Sequence, residues 1–146
     1  MSAWIFPACV NKSRSYWYEV DRAFDTLRTL FWGQGRLKSI AVGDTVYIYA
    51  SFPAQMIYWR CRVDAVNIPP QDMDIDDSEF EHGYAEPDDF YVKLTAVEKF
   101  SAAAREKLSY VELRTHGLKS QIQSKHRLNA EVLAYINSIE ASVNND

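Results

Sequence analysis

The sequence has few cysteines and no long apolar stretch. Its 146 residues include two cysteines, Cys9 and Cys61, and neither is near a second Cys or a His at the spacing of a metal site. Both lie in apolar, strand-like stretches, so we expect buried free thiols. The sequence has no apolar run of about 18 residues, and its N-terminus lacks the basic and apolar regions of a secretory signal. We therefore expect a cytoplasmic protein without a membrane span.

The common enzyme motifs are also missing. The chain has no GxSxG nucleophile turn and no GxGxxG or GxxxxGK[ST] phosphate loop. His82, His116 and His126 are scattered, without the spacing of metal ligands. The stretch DMDIDDSEFEHG resembles a calcium loop but has Asp77 where glycine is needed and Gly83 where a bidentate glutamate is needed. We predict no catalytic residue, no metal and no cofactor, with a nuclease-type activity as a residual alternative.

Negative charge is concentrated in one segment. Residues 67–90 contain nine Asp or Glu and no Lys or Arg, so the net charge of −4 hides a balance of +5 over the rest of the chain. A localised positive face can act on an anionic partner independently of distant charges, because salt screens over about 8–10 Å. The acidic isoelectric point therefore does not exclude binding to nucleic acid.

The pattern of apolar residues predicts one α+β domain over residues 1–146. The expected strands lie at 3–10, where Pro7 indicates an edge or bulge, at 45–50 and 56–66, which form a hairpin, and at 90–97. A helix is expected at about 17–31, ended by Gly33 and Gly35. A helical tail is expected at 101–140, with caps at Ser101, Ser109 and Asn129. Residues 67–90 are expected to form a long, poorly ordered loop. Without βαβ repeats, this order favours a small twisted mixed sheet or barrel flanked by helices.

The hairpin stretch DTVYIYASFPAQMIYWRCRV holds five of the 20 aromatic residues. A four-residue turn at 51–54 pairs Val46 with Trp59 and Ile48 with Ile57, which places Trp59 in the core. The opposite face then carries Tyr47, Tyr49, Tyr58, Arg60 and Arg62. Two interpretations stay open for that face: a helix covers it, or it forms a stacking wall for a planar ligand with arginines near a phosphate.

Several stretches together resemble the EVE domain, a branch of the PUA-like superfamily that also includes YTH and ASCH domains. They are AWIF at 3–6, WGQG at 32–35, GDTVYIYAS at 43–51, IYWRCRV at 57–63 and FYVKLTAV at 90–97. The resemblance implies a small barrel with a non-catalytic pocket that accepts a flipped and often modified nucleobase. The corresponding pocket residues are Trp4, Trp32, Gln34, Tyr49 and Ser51.

The leading hypothesis is thus a module that binds a modified base in DNA or RNA. Arg36, Lys38, Arg60 and Arg62 are the expected contacts to the nucleic-acid backbone, and a separate effector protein is a further candidate partner. The alternative is a protein-interaction or regulatory domain whose acidic loop at 67–90 docks a basic partner.

Overall fold

The computed structural model describes residues 1–144 and has helices around a mixed sheet, which confirms the predicted α+β class. The strands are β1 (Ala3–Ala8), β2 (Trp17–Tyr18), β3 (Thr29–Gly33), β4 (Thr45–Ala50), β5 (Met56–Ile68), β6 (Glu81–His82), β7 (Tyr91–Lys99) and β8 (His126–Arg127). The helices are α1 (Val20–Leu27), α2 (Ala102–Lys107), α3 (Tyr110–Thr115) and α4 (Ala130–Asn144). Over the described range no helix combines the length and apolarity needed to cross a bilayer.

The main sheet has six strands in the order β3-β7-β5-β4-β1-β8. β3 and β8 are its two edges, so the sheet is open and the barrel alternative is wrong. β1 runs parallel to β4 inside the sheet, which corrects the edge position expected from Pro7. Proline is tolerated here because pairing with β8 involves Trp4 and Ile5 and stops before Pro7.

The helix predicted at 17–31 is divided among three elements. α1 ends at Leu27, because Arg28 adopts a positive φ of 63° and its N–H donates to the carbonyl of Phe24. The chain then enters β3, where Leu30 pairs with Leu94 of β7. Pairing along the sheet edge overrides the helical periodicity of the apolar residues in this stretch. Gly33 is the last residue of a strand rather than the end of a helix, and Gly35 lies in the loop that follows.

The hairpin of β4 and β5 has a different register from the predicted one. Ile48 pairs with Trp59 and Val46 with Cys61, a shift of two residues that leaves the faces of these side chains unchanged. An irregularity between Ile48 and Tyr49 changes the pairing so that Tyr49 lies opposite Ile57. Trp59 is 5% exposed and lies in the core, as predicted, whereas Ile57 belongs to the opposite face.

Each face of the sheet has its own apolar core. One face packs Trp4, Phe6 and Trp59 against α1, β2 and Phe80. The other packs Ile5, Tyr47, Tyr49 and Ile57 against apolar residues of the C-terminal helices. Tyr47 and Tyr49 are each 2% exposed, so the interpretation that helices cover this face is correct for both tyrosines.

The predicted helix caps are confirmed. The side chains of Ser101, Ser109 and Asn129 accept hydrogen bonds from backbone N–H groups three residues later, at 3.2, 3.3 and 2.9 Å. The tail also contains β8, which the sequence pattern did not predict. Its two residues pair with β1 and connect the helical tail to the centre of the sheet.

Residues 67–90, here called the acidic segment, are folded against the domain, so the prediction of a poorly ordered loop is wrong. The segment contains the end of β5, two 3₁₀ turns and β6, which pairs with β2. Phe80 is fully buried and its carbonyl accepts from the N–H of Glu19 at 2.9 Å. The ring of His82 stacks on Trp17 with centroids 3.8 Å apart. These contacts outweigh the charge of the segment.

Asp44 connects the first strand to the middle of the sheet. Its carboxylate, 4% exposed, accepts hydrogen bonds from the indole of Trp4 at 3.0 Å, the N–H of Ser2 at 3.1 Å and the N–H of Ala41 at 3.0 Å. Burial by itself would raise the pKa of Asp44, but the three donors outweigh it and hold the pKa below its usual value. The GD pair of the sequence motif therefore has a structural role.

We predict that Asp44→Asn lowers the free energy of unfolding by about 1.5–3 kcal/mol, because an amide can accept at one position only and presents N–H groups to donors at the other. Urea unfolding at neutral pH measures the difference. Asp72→Asn, at an exposed aspartate, is the matched control and should change stability little. Equal stability of the Asp44 variant and the wild type would contradict this structural role.

Glu140 of α4 is a buried acid beneath the sheet. Its carboxylate accepts a hydrogen bond from the hydroxyl of Tyr47 at 2.8 Å and lies 3.1 Å from the guanidinium of Arg60. Burial raises the pKa of Glu140 and the nearby charge of Glu98 adds to the rise, whereas Tyr47 and Arg60 oppose it. The net direction is upward, so folding favours the protonated acid.

We therefore expect Glu140→Gln to gain stability relative to the wild type as the pH rises from about 4 to 7. A group whose pKa is raised on folding contributes most at low pH, and the contribution is lost as the group ionises. Unfolding by urea at several pH values measures the difference between the two proteins. Glu106→Gln, at an exposed glutamate, should show no such trend, and a difference that narrows with rising pH would contradict the expectation.

Candidate functional site

A cavity of about 450 Å³ opens between the end of β1, the strands β2 and β3, and the acidic segment. This volume lies within the usual range for small-molecule sites. Three strands separate β1 from β3 in the sheet, yet both line the cavity, so the sheet is strongly curved around it. The cavity therefore depends on sheet curvature together with the folded acidic segment.

Aromatic side chains form much of the wall. They are Tyr16, Tyr18, Phe31, Trp32 and Tyr91. Two neighbouring rings hold the indole of Trp32 in place. Tyr18 packs edge to face with it at 5.8 Å between ring centroids, and Phe24 lies parallel to it at 6.3 Å. Such packing fixes ring orientation before any ligand arrives, which lowers the entropic cost of binding a planar group.

Three tyrosines attach the acidic segment to the rest of the cavity. The hydroxyl of Tyr18 donates to Asp77 at 2.6 Å, and that of Tyr16 donates to Glu81 at 3.1 Å. The hydroxyl of Tyr91 accepts from the backbone N–H of Asp88 at 3.0 Å. Burial and the nearby carboxylates raise the pKa of both Tyr16 and Tyr18. Both hydroxyls therefore stay protonated and can donate at neutral pH.

The charges around the cavity are mostly negative. Its lining includes the carboxylates of Asp77, Glu81, Glu86 and Asp88 and a single ammonium, that of Lys125. Desolvation raises the pKa of Glu81, the hydroxyl of Tyr16 opposes the rise, and the charge of Asp77 adds to it. The cavity can therefore offer aromatic faces and hydrogen-bond acceptors, while its interior disfavours phosphate.

Of the five pocket residues predicted from the sequence, Trp32 lines the cavity and the other four are absent from its lining. Gln34 is 3% exposed and its amide is committed elsewhere. It donates to the carbonyl of Leu37 at 2.9 Å and to the side chain of Asn67 at 2.8 Å, and it accepts from the N–H of Asn67 at 2.8 Å. The amide links the tryptophan loop to β5 and has no edge free to read a base.

Trp4, Tyr49 and Ser51 likewise have structural partners. Trp4 is 4% exposed and donates to Asp44. Tyr49 lies in the core beneath the helices, where burial raises its pKa to about 12. The hydroxyl of Ser51 donates to the carbonyl of Ala8 at 3.0 Å. The structure therefore does not bring these three side chains together at the cavity, and Trp4 and Tyr49 lie in two cores on opposite faces of the sheet.

The four predicted backbone contacts divide into two pairs. Arg60 forms ion pairs with Glu98 and Glu140 at 3.3 and 3.1 Å, and Arg62 binds Asp64 at 2.7 Å. Arg36 and Lys38 are exposed in the loop before β4 and have no ion-pair partner among the described residues. Contact between any of the four and a phosphate stays a prediction. Arg36 and Lys38 are the better placed pair, because their charged groups are exposed and not engaged in ion pairs among the described residues.

The sequence pattern missed most of the cavity lining. The helix predicted at about 17–31 includes Tyr18 and begins after Tyr16, although the aromatic YWY triplet that follows a polar KSRS stretch could indicate an exposed ribbon. Tyr91 was placed in a strand without a role. The carboxylates belong to a segment that was expected to be disordered, and Lys125 had no recognisable signal.

No model of a known protein family matches the sequence, and no curated protein matches it either. Solved structures do match its fold. A protein from Rhodopseudomonas palustris solved by NMR has a TM-score of 0.61 at 12% identity, over 98% of this chain and 95% of that one. The ASCH protein from Zymomonas mobilis has a TM-score of 0.57 at 11% identity, over 94% of each chain. A protein from Agrobacterium tumefaciens has a TM-score of 0.54 at 14% identity, over 95% and 93%.

The fold is similar to that of an ASCH protein. This agrees with the α+β fold that the sequence motifs predict, whereas membership of the PUA-like superfamily and the finer likeness to EVE domains stay predictions. At identities of 11–14%, the similarity concerns the arrangement of strands and helices rather than the residues of a site. The function must therefore be argued from the cavity of this chain.

Gly33 allows the acidic segment to approach β3. A Cβ atom added at Gly33 would lie 1.7 Å from a carboxylate oxygen of Asp88.

We predict that Gly33→Ala lowers the free energy of unfolding by about 1 kcal/mol, because the added methyl displaces this carboxylate from the cavity wall. In an Asp88→Ala background the same change should be neutral or slightly stabilising, since the clash is gone and alanine restricts the unfolded chain.

Urea unfolding of the four proteins in this double-mutant cycle measures the coupling between the two positions. An equal effect of Gly33→Ala in both backgrounds would show that the segment does not rest on β3 through Asp88.

Proposed function

We propose that the chain is a non-catalytic nucleic-acid-binding module of the PUA-like, EVE-related kind, which accepts a modified nucleobase of RNA or DNA in its aromatic cavity. The observation that carries the proposal is the cavity of about 450 Å³ lined by five aromatic side chains. A base removed from its stack loses stacking with its neighbours, and aromatic walls restore it.

The charges support an arrangement with the base inside and the backbone outside. Carboxylates along the wall repel phosphate from the interior, while Lys125 at the lining offers one positive contact. Lys12 and Arg14 are exposed in the loop that leads to Tyr16, and neither has an ion-pair partner among the described residues. These three cations are the candidates for contacts to the phosphates that flank the bound nucleotide.

The absence of catalysis in this proposal rests on the missing nucleophile and metal motifs. RNA recovered after incubation with the protein should therefore be intact. A separate effector protein remains a predicted partner.

The alternative of a protein-interaction domain is favoured by one observation. Asp72, Asp74 and Glu79 on the acidic segment are exposed and have no ion-pair partner among the described residues. They could contact a basic protein while Asp77 and Glu81 remain attached to the cavity by tyrosines. Neutralising the three exposed acids should abolish such a contact, whereas nucleic-acid affinity should stay the same or rise.

For the main proposal, we expect Trp32→Leu to weaken the binding of short RNA and DNA oligonucleotides about five- to 150-fold, because stacking on an aromatic side chain contributes about 1–3 kcal/mol per base. Fluorescence anisotropy with modified and unmodified oligonucleotides measures this. Tyr84→Leu removes an exposed aromatic ring that does not line the cavity and is the matched control. Because Trp32 packs on Tyr18 and Phe24, urea unfolding must show that the variant is folded.

Lys125→Ala provides an independent readout. It should reduce the slope of log affinity against log salt by about one, as expected for the loss of one phosphate contact, whereas Lys119→Ala should leave the slope unchanged. Binding by the wild type that is unaffected by both Trp32→Leu and Lys125→Ala would place the nucleic acid elsewhere on the surface. No binding to any oligonucleotide would overturn the proposal.

A further inference from the structure

The cavity has an unusual distribution of charge for a nucleic-acid site. Four carboxylates and one ammonium lie on its lining, although nucleic acids are anions. The four acids do not cancel against nearby cations: Asp77 and Glu81 interact with the neutral hydroxyls of Tyr18 and Tyr16. The carboxylates of Glu86 and Asp88 have no hydrogen-bond or ion-pair partner among the described residues. The wall therefore carries a net negative charge that a positively charged ligand would complement.

The close carboxylates strengthen this argument. Desolvation raises the pKa of Glu81, and the charge of Asp77 adds to the rise, as expected for repulsion between two nearby carboxylates. A positive group between them would relieve that repulsion. In a partly dehydrated cavity, the attraction between opposite charges is stronger than in water.

The aromatic walls favour the same kind of ligand. Tyr16, Tyr18, Trp32 and Tyr91 surround the space that the carboxylates face. The negative face of an aromatic ring attracts cations, and a flat cation also stacks on it. A planar group with delocalised positive charge uses both the rings and the carboxylates, whereas a neutral base uses the rings and only part of the polar wall.

Lys125 favours a nucleotide over a ligand that carries positive charge alone. Its ammonium lies 5.9 Å from the ring of Phe6 and is the positive group of the lining. A ligand that is a cation throughout, such as a methylated lysine, gains nothing from this ammonium and is repelled by it. A nucleotide with a charged base is positive at one end and negative at its phosphate, and it matches both.

We propose that the cavity selects nucleobases that carry a positive charge, of the kind produced by methylation on a ring nitrogen, over neutral bases. This inference rests on the proposed function and names the class of base that the site takes. Ring methylation at N1 of adenine or N3 of cytosine gives such a cation, and methylation at the exocyclic amine or at C5 adds the same methyl group but leaves the base neutral.

The test compares five-nucleotide RNAs that differ at the central base alone. One set contains adenosine, N6-methyladenosine or 1-methyladenosine, and the other contains cytidine, 5-methylcytidine or 3-methylcytidine. Fluorescence anisotropy at neutral pH and two salt concentrations gives the affinities. The cationic member of each set should bind at least tenfold more tightly than both neutral members, because methyl contacts alone would favour the neutral methylated base equally.

Variants of the acidic wall provide the second arm. Glu86→Gln combined with Asp88→Asn should reduce the preference for the cationic base to less than threefold. Asp89→Asn, next in sequence and absent from the lining, is the matched control and should leave the preference unchanged. A preference that survives the double variant would overturn the role of the wall.

The remaining outcomes are distinct. Equal binding of neutral and cationic bases would overturn this inference and leave the proposed function intact. No binding of any of these RNAs would overturn this inference, and no binding of any RNA or DNA would overturn the proposed function as well. Tighter binding of a trimethyllysine peptide than of any RNA would show that the cavity takes a peptide cation, and it would also overturn the inference.

Discussion

The buried carboxylate of Asp44 is the constraint on which the rest of the domain depends. It accepts from Ser2 just before β1, from Trp4 within β1 and from Ala41 of the loop before β4. One side chain therefore fixes β1 beside β4 at the beginning of their parallel pair. Parallel neighbours cannot be joined by a tight turn and need such long-range contacts to set their register. With this register fixed, alternate residues of β1 enter the two cores, and the end of β1 reaches the cavity.

The acidic segment shows how a highly charged stretch can be ordered. Buried Phe80, the pairing of β6 with β2 and the stack of His82 on Trp17 supply the apolar and backbone contacts, while hydroxyls of Tyr16 and Tyr18 satisfy two of the acids. A segment placed in this way is both a structural wall and a source of negative potential. Repulsion among its carboxylates destabilises the folded state. A positively charged ligand bound at the site would relieve this repulsion, and the relief would contribute to its affinity.

The local signals in the sequence were read correctly where the physics is local. Caps at Ser101, Ser109 and Asn129 depend on a side chain and an N–H group three residues away, so they could be predicted from spacing. Trp59 could be assigned to the core because alternation fixes which side chains share a face. The register of the hairpin could not be fixed, since the irregularity near Tyr49 shifts the pairing and leaves no mark in the pattern.

The site was harder to predict, because its residues come from separate parts of the chain. The motif around Gly43 and Asp44 predicted a fold that the solved structures match, yet the predicted pocket residues hold the sheet together instead of lining the cavity, apart from Trp32. The sequence by itself determined the α+β class, the helix caps and which faces of the hairpin are apolar, since these follow from periodicity and short-range hydrogen bonds. Only the tertiary structure decided that the sheet stays open, that helices bury Tyr49, and that the acidic segment closes over Trp32, because each depends on contacts between residues far apart in the chain.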